Sequence, residues 1–265
     1  MDAGVIPISN TQLALSVILV LIAGVISAAL RLELLKPLLW GTVRTYLQLT
    51  LIGYALTYIF NINNLILIIV IISLMCLVAS RTAVRGAPCA GRYSMFLGFF
   101  SLWTSTFLVG TIVMVLIISP EPWYSARIAI PIFGMILGNS MNGIALSLER
   151  LFSEVKSKIS EIETLLSFGA SPWESVRDCV KEALRAGMTP TINSLMVVGL
   201  VSLPGMMTGQ ILAGADPQQA VRYQIVVMLM IAAAVAIGCI MLVLLYYKKL
   251  FTKEDAIAHY VLNHE

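Results

Sequence analysis

The sequence predicts an all-α, polytopic membrane protein with about seven transmembrane helices. Of its 265 residues, 59% are hydrophobic and 12% are charged, and the mean hydropathy is +0.92. Soluble domains carry about 25% charged residues, so this composition favours a membrane protein. Seven apolar runs are close to the roughly 20 residues that a helix needs to cross the hydrocarbon of a bilayer. These predicted spans are residues 11–30, 37–60, 64–80, 94–118, 128–147, 191–214 and 223–247.

The basic residues predict the orientation of these spans. If the N-terminus lies outside, all but three of the 17 Lys and Arg residues fall on the cytoplasmic side, and only Arg127 and Arg222 fall on the other side. This asymmetry follows the positive-inside rule. Seven spans then place the C-terminus, with Lys248 and Lys249, in the cytoplasm. The orientation explains the net charge of +3, and we see no footprint of nucleic-acid binding in it.

Residues 148–190 are the most charged part of the chain and predict a cytoplasmic hairpin of two helices. They hold 13 of the 31 charged residues. Apolar residues recur at helical spacing on both sides of a central Gly-Ala-Ser-Pro sequence, so each helix has one apolar face. These residues are Val155, Ile159, Ile162, Leu165 and Leu166 in the first helix, and Trp173, Val176, Val180, Ala183 and Leu184 in the second. Periodicity does not distinguish a hairpin that covers its own bundle from one that docks into a partner's groove.

The turn of this hairpin carries a strong local signal. Gly169 suits the left-handed residue that ends a helix. Ser171, Pro172 and Glu174 are typical of the N-cap, the first position and the capping box of a new helix. This second helix is predicted to run to Gly187, and the Thr-Pro pair that follows is predicted to cap the sixth span.

Several segments of the second half of the chain carry motifs of a known protein family. Glu163 and Gly169 have the spacing of the "EAA" loop of ABC transporter permeases, although Thr164 and Leu165 replace its two alanines. The segments LSFGASPWESVRD, RAGMTPTINS, VGLVSLPGMMTGQILAG and IPIFGMILGNSMN are similar to the FetB family of ABC permeases, which is associated with iron export. The resemblance covers the whole chain. It implies a single permease domain, residues 1–265, in the bacterial cytoplasmic (inner) membrane.

The resemblance also implies that the hairpin couples this chain to ATP hydrolysis in a separate ATP-binding subunit. The implied coupling residues are Glu163, Leu166, Gly169, Ala170, Pro172, Trp173 and Arg177. ABC transporters have two membrane halves and two ATPases, so a homodimer with two ATPase partners is implied as well. The chain contains no Gly-Lys pair and therefore no P-loop motif. We expect it to be no enzyme and to hold no cofactor, with ATP and Mg bound by the partner.

Arg44 is the only charged residue deep within a predicted span. A charge at this depth costs about 2.5–3.5 kcal/mol on insertion scales, which makes it a functional candidate. Gln48 lies one turn further along the same helix face. The alternative is that Arg44 is structural and pairs with backbone carbonyls.

The fifth and sixth spans each contain a proline and a GxxxG pair, which makes them candidates for a hinge or a helix break. GxxxG pairs allow helices to pack closely, whereas a helix opened near its proline would bare carbonyls to a cavity, as in many transporters. The hinge candidates are Pro131, Gly134, Gly138, Pro204, Gly205 and Gly209. The candidates for the substrate path are Arg44, Gln48, Met135, Asn139, Asn142, Met206, Met207 and Gln210.

The sequence does not assign metal ligands. No Asp or Glu lies deep in a predicted span, although hard cations favour carboxylate or imidazole ligands. The two histidines, His259 and His264, lie in the C-terminal tail. A metal site built from cysteines is not expected, because no CxxC pair occurs among Cys76, Cys89, Cys179 and Cys239.

Three functions therefore remain open. The resemblance favours an iron exporter driven by a separate ATPase. The first alternative is an ABC exporter of an anionic organic solute, such as a sugar nucleotide, with Arg44 as its counter-charge. The second is an ATP-independent channel or a membrane scaffold whose hairpin binds another protein.

Overall fold

The computed structural model describes residues 8–62, 64–85, 92–252 and 255–258. These residues form helices joined by short connections, with no β-strand among them. The all-α prediction is confirmed. The chain divides into two units, Met1–Asn63 with Leu212–Gly214, and Asn64–Ile211 with Ala215–Glu265. The predictions for Cys89, His259 and His264 lie outside the described residues.

The first unit is a small helical unit at the start of the chain. Its helices are α1 (Asn10–Leu15), α2 (Val17–Ala29) and α3 (Leu35–Ile62). The turn into α3 is held by Ser27, whose Oγ accepts a hydrogen bond from the N–H of Leu34 at 3.0 Å. The hydroxyl of Tyr46 on α3 donates to the carbonyl of Leu13 on α1 at 2.6 Å. These two bonds, near opposite ends of α2, fix α3 antiparallel to it.

The second unit contains the larger helical bundle. Its elements are α4 (Leu65–Ala83), α5 (Arg92–Ile112) with a π-helical continuation (Val113–Ile118), α6 (Ala126–Ser157), α7 (Ile159–Ser167), α8 (Pro172–Val197), α9 (Gly205–Leu212) and α10 (Pro217–Tyr247). Helices α6 and α10 supply the centre of its core, where Ile136, Ile144, Val235, Cys239 and Leu242 have no exposed surface. Helix α6 packs against α4, α5, α8 and α10.

Among the residues that the structure describes, five segments are long and apolar enough to cross a membrane. They are Asn10–Ala29, Leu65–Ala83, Tyr93–Ile118, Ala126–Ser157 and Pro217–Tyr247. Each overlaps one of the seven predicted spans. Ala126–Ser157 continues past the predicted end at residue 147 into the predicted hairpin, which corrects that boundary. The predicted span 37–60 lies in helix α3, which is not among the five. The number of spans and their orientation stay predictions.

The predicted span 191–214 is not one helix, which corrects the sequence-based boundaries. Helix α8 continues through Gly187 and Pro190 to Val197, so the hairpin helix and the start of this span are a single element. A non-helical segment, 198–204, then precedes α9. Its glycine, Gly199, has a φ of +82°, and its N–H donates to the carbonyl of Ser202 at 2.9 Å. A proline within a helix removes one backbone hydrogen bond and crowds the carbonyl four residues before it. Helix α8 nevertheless continues through Pro190, along the length where it packs on α6.

The expected irregularity of the fifth span does not interrupt its helix. Helix α6 runs without a break through Pro131, Gly134 and Gly138. In the sixth span Pro204 belongs to the non-helical segment, whereas Gly205 and Gly209 lie in α9. The helix break therefore lies just before α9 and begins earlier than Pro204.

Candidate functional site

The turn between α7 and α8 has the geometry that its sequence predicts. Gly169 adopts a φ of +88°. Its N–H donates to the carbonyl of Leu166 at 3.0 Å, and the N–H of Ala170 donates to the carbonyl of Leu165 at 3.0 Å. This pair of bonds is the Schellman motif, which ends a helix with a left-handed residue. The turn therefore has a specific conformation that backbone hydrogen bonds hold.

The first turn of α8 is held by a reciprocal capping box. The Oγ of Ser171 accepts a hydrogen bond from the N–H of Glu174 at 3.4 Å, and the Glu174 carboxylate accepts one from the N–H of Ser171 at 2.9 Å. The hydroxyl of Ser171 also donates to this carboxylate at 2.6 Å. These bonds favour the ionised carboxylate and lower the pKa of Glu174. Pro172 occupies the first helical position, as predicted.

We expect Ser171→Ala to lower the thermal stability of the chain, because loss of an N-cap costs about 1 kcal/mol. Glu174 has a lowered pKa in the folded state, so its contribution is present at neutral pH and is lost as the pH falls through that pKa. Thermal unfolding in detergent, followed by circular dichroism, measures the effect. The difference in Tm between the wild-type chain and Ser171→Ala should become smaller in acid. A Tm difference that stays constant or widens in acid would argue against a contribution from the Glu174 carboxylate.

The hairpin presents an exposed surface on one side and packs on the other. Ile162 and Val176 are buried, while Phe168, in the turn, is 86% exposed. Trp173 is partly exposed and packs its ring edge-on to Tyr247, with centroids 5.1 Å apart. Among the predicted coupling residues, Leu166, Ala170 and Pro172 are half-buried, and those with exposed side chains or backbone are Glu163, Gly169, Trp173 and Arg177. One face of the hairpin therefore covers its own bundle, and the other is exposed among the described residues. Docking of the exposed face to a partner stays a prediction.

Helices α6 and α8 cross in backbone contact at Gly143 and Gly187. A Cβ added to Gly187 would lie 2.6 Å from the carbonyl oxygen of Gly143 and would meet the hydroxyl of Ser147. A Cβ added to Gly143 would lie 2.7 Å from a methyl of Val235 on α10. The sequence patterns do not predict this crossing. Each of the two helical patterns contains a glycine, which is a signal of close helix packing. A single sequence, however, does not indicate which helices pack against each other.

Beside this crossing lies a cavity of about 290 Å³, bounded by α6, α8, α10 and the segment 198–204. Its polar side chains come from three of these elements. They are Asn139 and Asn142 on α6, Thr191 and Ser194 on α8, and Ser202 in the segment 198–204. The remaining lining residues are glycine, proline or apolar, and none of the described lining residues is charged. The structure thus brings two predicted path residues, Asn139 and Asn142, together with the predicted hinge residue Pro204.

The other predicted path residues of this unit lie elsewhere. Met207 is buried and lines a neighbouring, mainly apolar cavity of about 380 Å³, which shares Pro204 with the first. Met135 lies on α6, and its carbonyl accepts a hydrogen bond from Asn139. Met206 and Gln210 are half-buried on α9, and neither lines the two cavities.

Arg44 and Gln48 lie on α3 in the first unit, and both side chains are exposed. Arg44 forms no ion pair among the described residues. No group of three or more His, Cys, Asp or Glu side chains in the described part of the chain could hold a metal ion. Cys76, Cys179 and Cys239 are free and buried.

Several apolar helices of spanning length, packed into a bundle with a partly open cavity at its side, define a multi-pass helical membrane protein. The chain belongs to the family described as "Uncharacterised protein family (UPF0014)", whose model matches residues 10–251.

Three relatives are similar over most of their length. The UPF0014 membrane protein YjkA of Bacillus subtilis is 39% identical over 91% of this chain and 95% of its own. The UPF0014 membrane protein slr1647 of Synechocystis is 38% identical over 84% of this chain and 86% of its own. An Escherichia coli protein named "Probable iron export permease protein FetB" is 35% identical over 93% of this chain and 94% of its own. No solved structure matches the chain.

Proposed function

We propose that this chain is the permease subunit of an ABC transporter that exports a metal cation, with iron as the first candidate. The observation that carries the proposal is the continuity of α8. The helix begins at the exposed turn and contributes Pro190, Thr191 and Ser194 to the cavity wall. The stretch from Pro172 to Pro190 corresponds to roughly 27 Å of helix at 1.5 Å per residue.

Because α8 is continuous, a movement that ATP hydrolysis produces at the turn would be transmitted along the helix to the cavity. The turn with Phe168 and Gly169 would sit in a cleft of the ATP-binding subunit, which exposure of Phe168 favours. The capping box makes the first turn of α8 rigid. A displacement of the turn would then move the cavity wall rather than dissipate in a flexible loop. The name of the E. coli relative supports both the permease role and the choice of iron.

A second copy of the chain completes the proposed transporter. Asn139 and Asn142 are exposed on α6 although they lie in a candidate membrane-spanning helix. An amide that faces hydrocarbon without a hydrogen-bond partner is costly, so these side chains need a polar surface or water. A homodimer with its path between the two copies would supply both, and two ATP-binding subunits would drive it.

Transport in proteoliposomes tests the proposal. The chain is reconstituted with its cognate ATP-binding subunit, and a dye quenched by Fe(II) is trapped inside. Complexes whose cytoplasmic side faces outward should take up Fe(II) when ATP is added. ATP hydrolysis without metal movement would favour the anionic-solute alternative. If no ATP-binding subunit co-purifies with the chain, the ABC assignment fails.

A further inference from the structure

We infer that the apolar cavity between α8, the segment 198–204, α9 and α10 binds a neutral, single-chain lipid whose hydroxyl head pairs with the amide of Gln224. This cavity shares Val198, Pro204 and Met228 with the polar cavity beside it, so an occupant would support the wall between the two. The inference does not depend on the proposed export function.

The first observation is a buried amide that forms no hydrogen bond. Gln224 on α10 is 6% exposed, and its Oε1 is buried without a partner among the described residues. The Nε2 of the same amide likewise forms no hydrogen bond with the described part of the chain. Buried polar groups in native proteins nearly always have a partner, so an unpaired amide indicates a group that the protein itself does not supply.

The second observation is the composition of the cavity that Gln224 lines. Its volume of about 380 Å³ falls in the range of small-molecule sites, roughly 300–1,000 Å³. Gln224 carries the only polar side chain among the described lining residues. A bound water needs two to four polar partners, so water alone is a poor occupant. The lining fits an apolar body with one polar end.

The chemistry of the amide specifies that polar end. Because no hydrogen bond fixes the amide, rotation about its soft χ3 bond can present either Oε1 or Nε2 to the cavity. A hydroxyl group matches both atoms, since it carries one donor and two acceptor lone pairs. A charged head does not fit, because none of the described lining residues is charged and burial of an unpaired charge is costly.

The position of Gln224 along α10 matches the orientation of a lipid. The 31 residues of α10 correspond to about 46 Å of helix, against about 30 Å of hydrocarbon. If the excess is shared by both ends, Gln224, about 10 Å from the start of α10, lies near the boundary of the hydrocarbon. Leu229, which also lines the cavity, lies roughly 8 Å deeper. A head at Gln224 therefore directs its chain toward the centre of the bilayer.

A helix from a second copy of the chain fits this cavity less well. One helical turn, about 10 Å across and 5.4 Å long, fills about 420 Å³, which exceeds the volume of the whole cavity. Gln224 is buried, whereas Val221, Ile225 and Leu229 on the same helix are exposed. A lipid chain is narrow enough to pass these side chains and reach the amide.

Photolabelling in bilayers tests the inference. The purified chain is placed in phosphatidylcholine nanodiscs with a monoacylglycerol that carries a diazirine in its acyl chain, and mass spectrometry locates the adducts. We expect adducts on Leu203, Met207 and Met228, which line the cavity. Unlabelled monoolein should compete roughly fivefold better than 1-octadecene, which lacks a hydroxyl, because one net hydrogen bond has about that effect. Absence of adducts in the cavity, or equal competition by the two compounds, would overturn the inference.

Substitution of the amide tests its role directly. Gln224→Met removes the amide and keeps an unbranched side chain of similar size, and we expect roughly fivefold fewer adducts in the cavity. The matched control is Gln218→Met, at an exposed position of α10 that does not line the cavity, and it should leave labelling unchanged. Equal labelling of Gln224→Met and the wild type would contradict a hydrogen bond between the lipid head and the amide.

Thermal stability in the same nanodiscs is an independent readout. Without the monoacylglycerol, Gln224→Met should be at least as stable as the wild type, because it removes a buried group that lacks a partner. Monoolein should raise the Tm of the wild type, as a ligand of the folded state does, and should raise that of Gln224→Met less. A lower Tm of Gln224→Met without added lipid would show that the amide has a partner within the protein, and the inference would fail.

Discussion

Replacing Gly187 with alanine is expected to destabilise the bundle and to abolish most transport. The added Cβ would lie 2.6 Å from the carbonyl oxygen of Gly143 and 3.2 Å from the sulfur of Cys239. Atoms of the backbone cannot move aside as the end of a flexible side chain can, so α6 and α8 must separate. Overpacking of this kind costs about 1–3 kcal/mol. Because the crossing lies beside the cavity, its separation also changes the cavity wall.

Thermal stability in detergent, measured by fluorescence-detected gel filtration, gives the size of this effect. The matched control is Gly53→Ala, in α3, where an added Cβ meets nothing within 4 Å. Alanine is a better helix former than glycine by about 1 kcal/mol, so this control should be neutral or slightly stabilising. If Gly187→Ala is as stable as Gly53→Ala, the result contradicts a backbone contact between α6 and α8 at this position.

Replacing Gly169 with valine is expected to uncouple transport from ATP hydrolysis while leaving the chain in the membrane. Gly169 has a φ of +88°, a conformation that costs a residue with a side chain roughly 1–2 kcal/mol. A β-branched residue is the least tolerant of it. The Schellman motif would open, and α8 would lose its fixed connection to α7. The open space around Gly169, with nothing within 4 Å of an added Cβ, means that the effect comes from the backbone and not from a clash.

The variant Gly169→Asn distinguishes an effect of the backbone conformation from an effect of adding any side chain at this position. Asn adopts the left-handed conformation more readily than other residues with a side chain, so Gly169→Asn should retain most ATP-dependent transport. Co-purification with the ATP-binding subunit and transport in proteoliposomes are measured for both variants. Normal assembly and normal transport in Gly169→Val would remove the coupling role of the turn. Equal loss in both variants would instead indicate that a partner contacts the glycine surface directly.

The hairpin illustrates how far local sequence signals reach. Gly169, Ser171, Pro172 and Glu174 act through bonds between residues within a few positions of one another, and each adopts the predicted role. Local signals were less reliable where a long-range contact competes with them. Gly187 and Pro190 predict the end of one helix and the start of another, yet α8 runs through both.

The candidate site likewise contains residues that the sequence predicts and residues that only the packing of the helices reveals. Asn139, Asn142 and Pro204 were selected from the sequence because amides and helix breaks are unusual at membrane depth, and all three line the cavity. Thr191, Ser194 and Ser202 were missed. Small hydroxyl residues are common in membrane helices, where they bond to their own backbone, so nothing in the sequence marks them. Only the packing of α8 against α6 brings Thr191 and Ser194 to the cavity, and only the fold of the segment 198–204 brings Ser202 there.

The sequence by itself determined that this chain is an all-α membrane protein, which segments are apolar and where the hairpin turns. Those properties follow from composition, hydropathy and hydrogen bonds between near neighbours, which one chain segment contains in full. The tertiary structure alone decided that α8 is one helix from the turn to the cavity, that α6 and α8 touch at Gly143 and Gly187, and that amides and hydroxyls distant in the sequence line one cavity. These depend on which helix faces meet across the bundle, because the energy of close packing belongs to pairs of surfaces distant in the sequence.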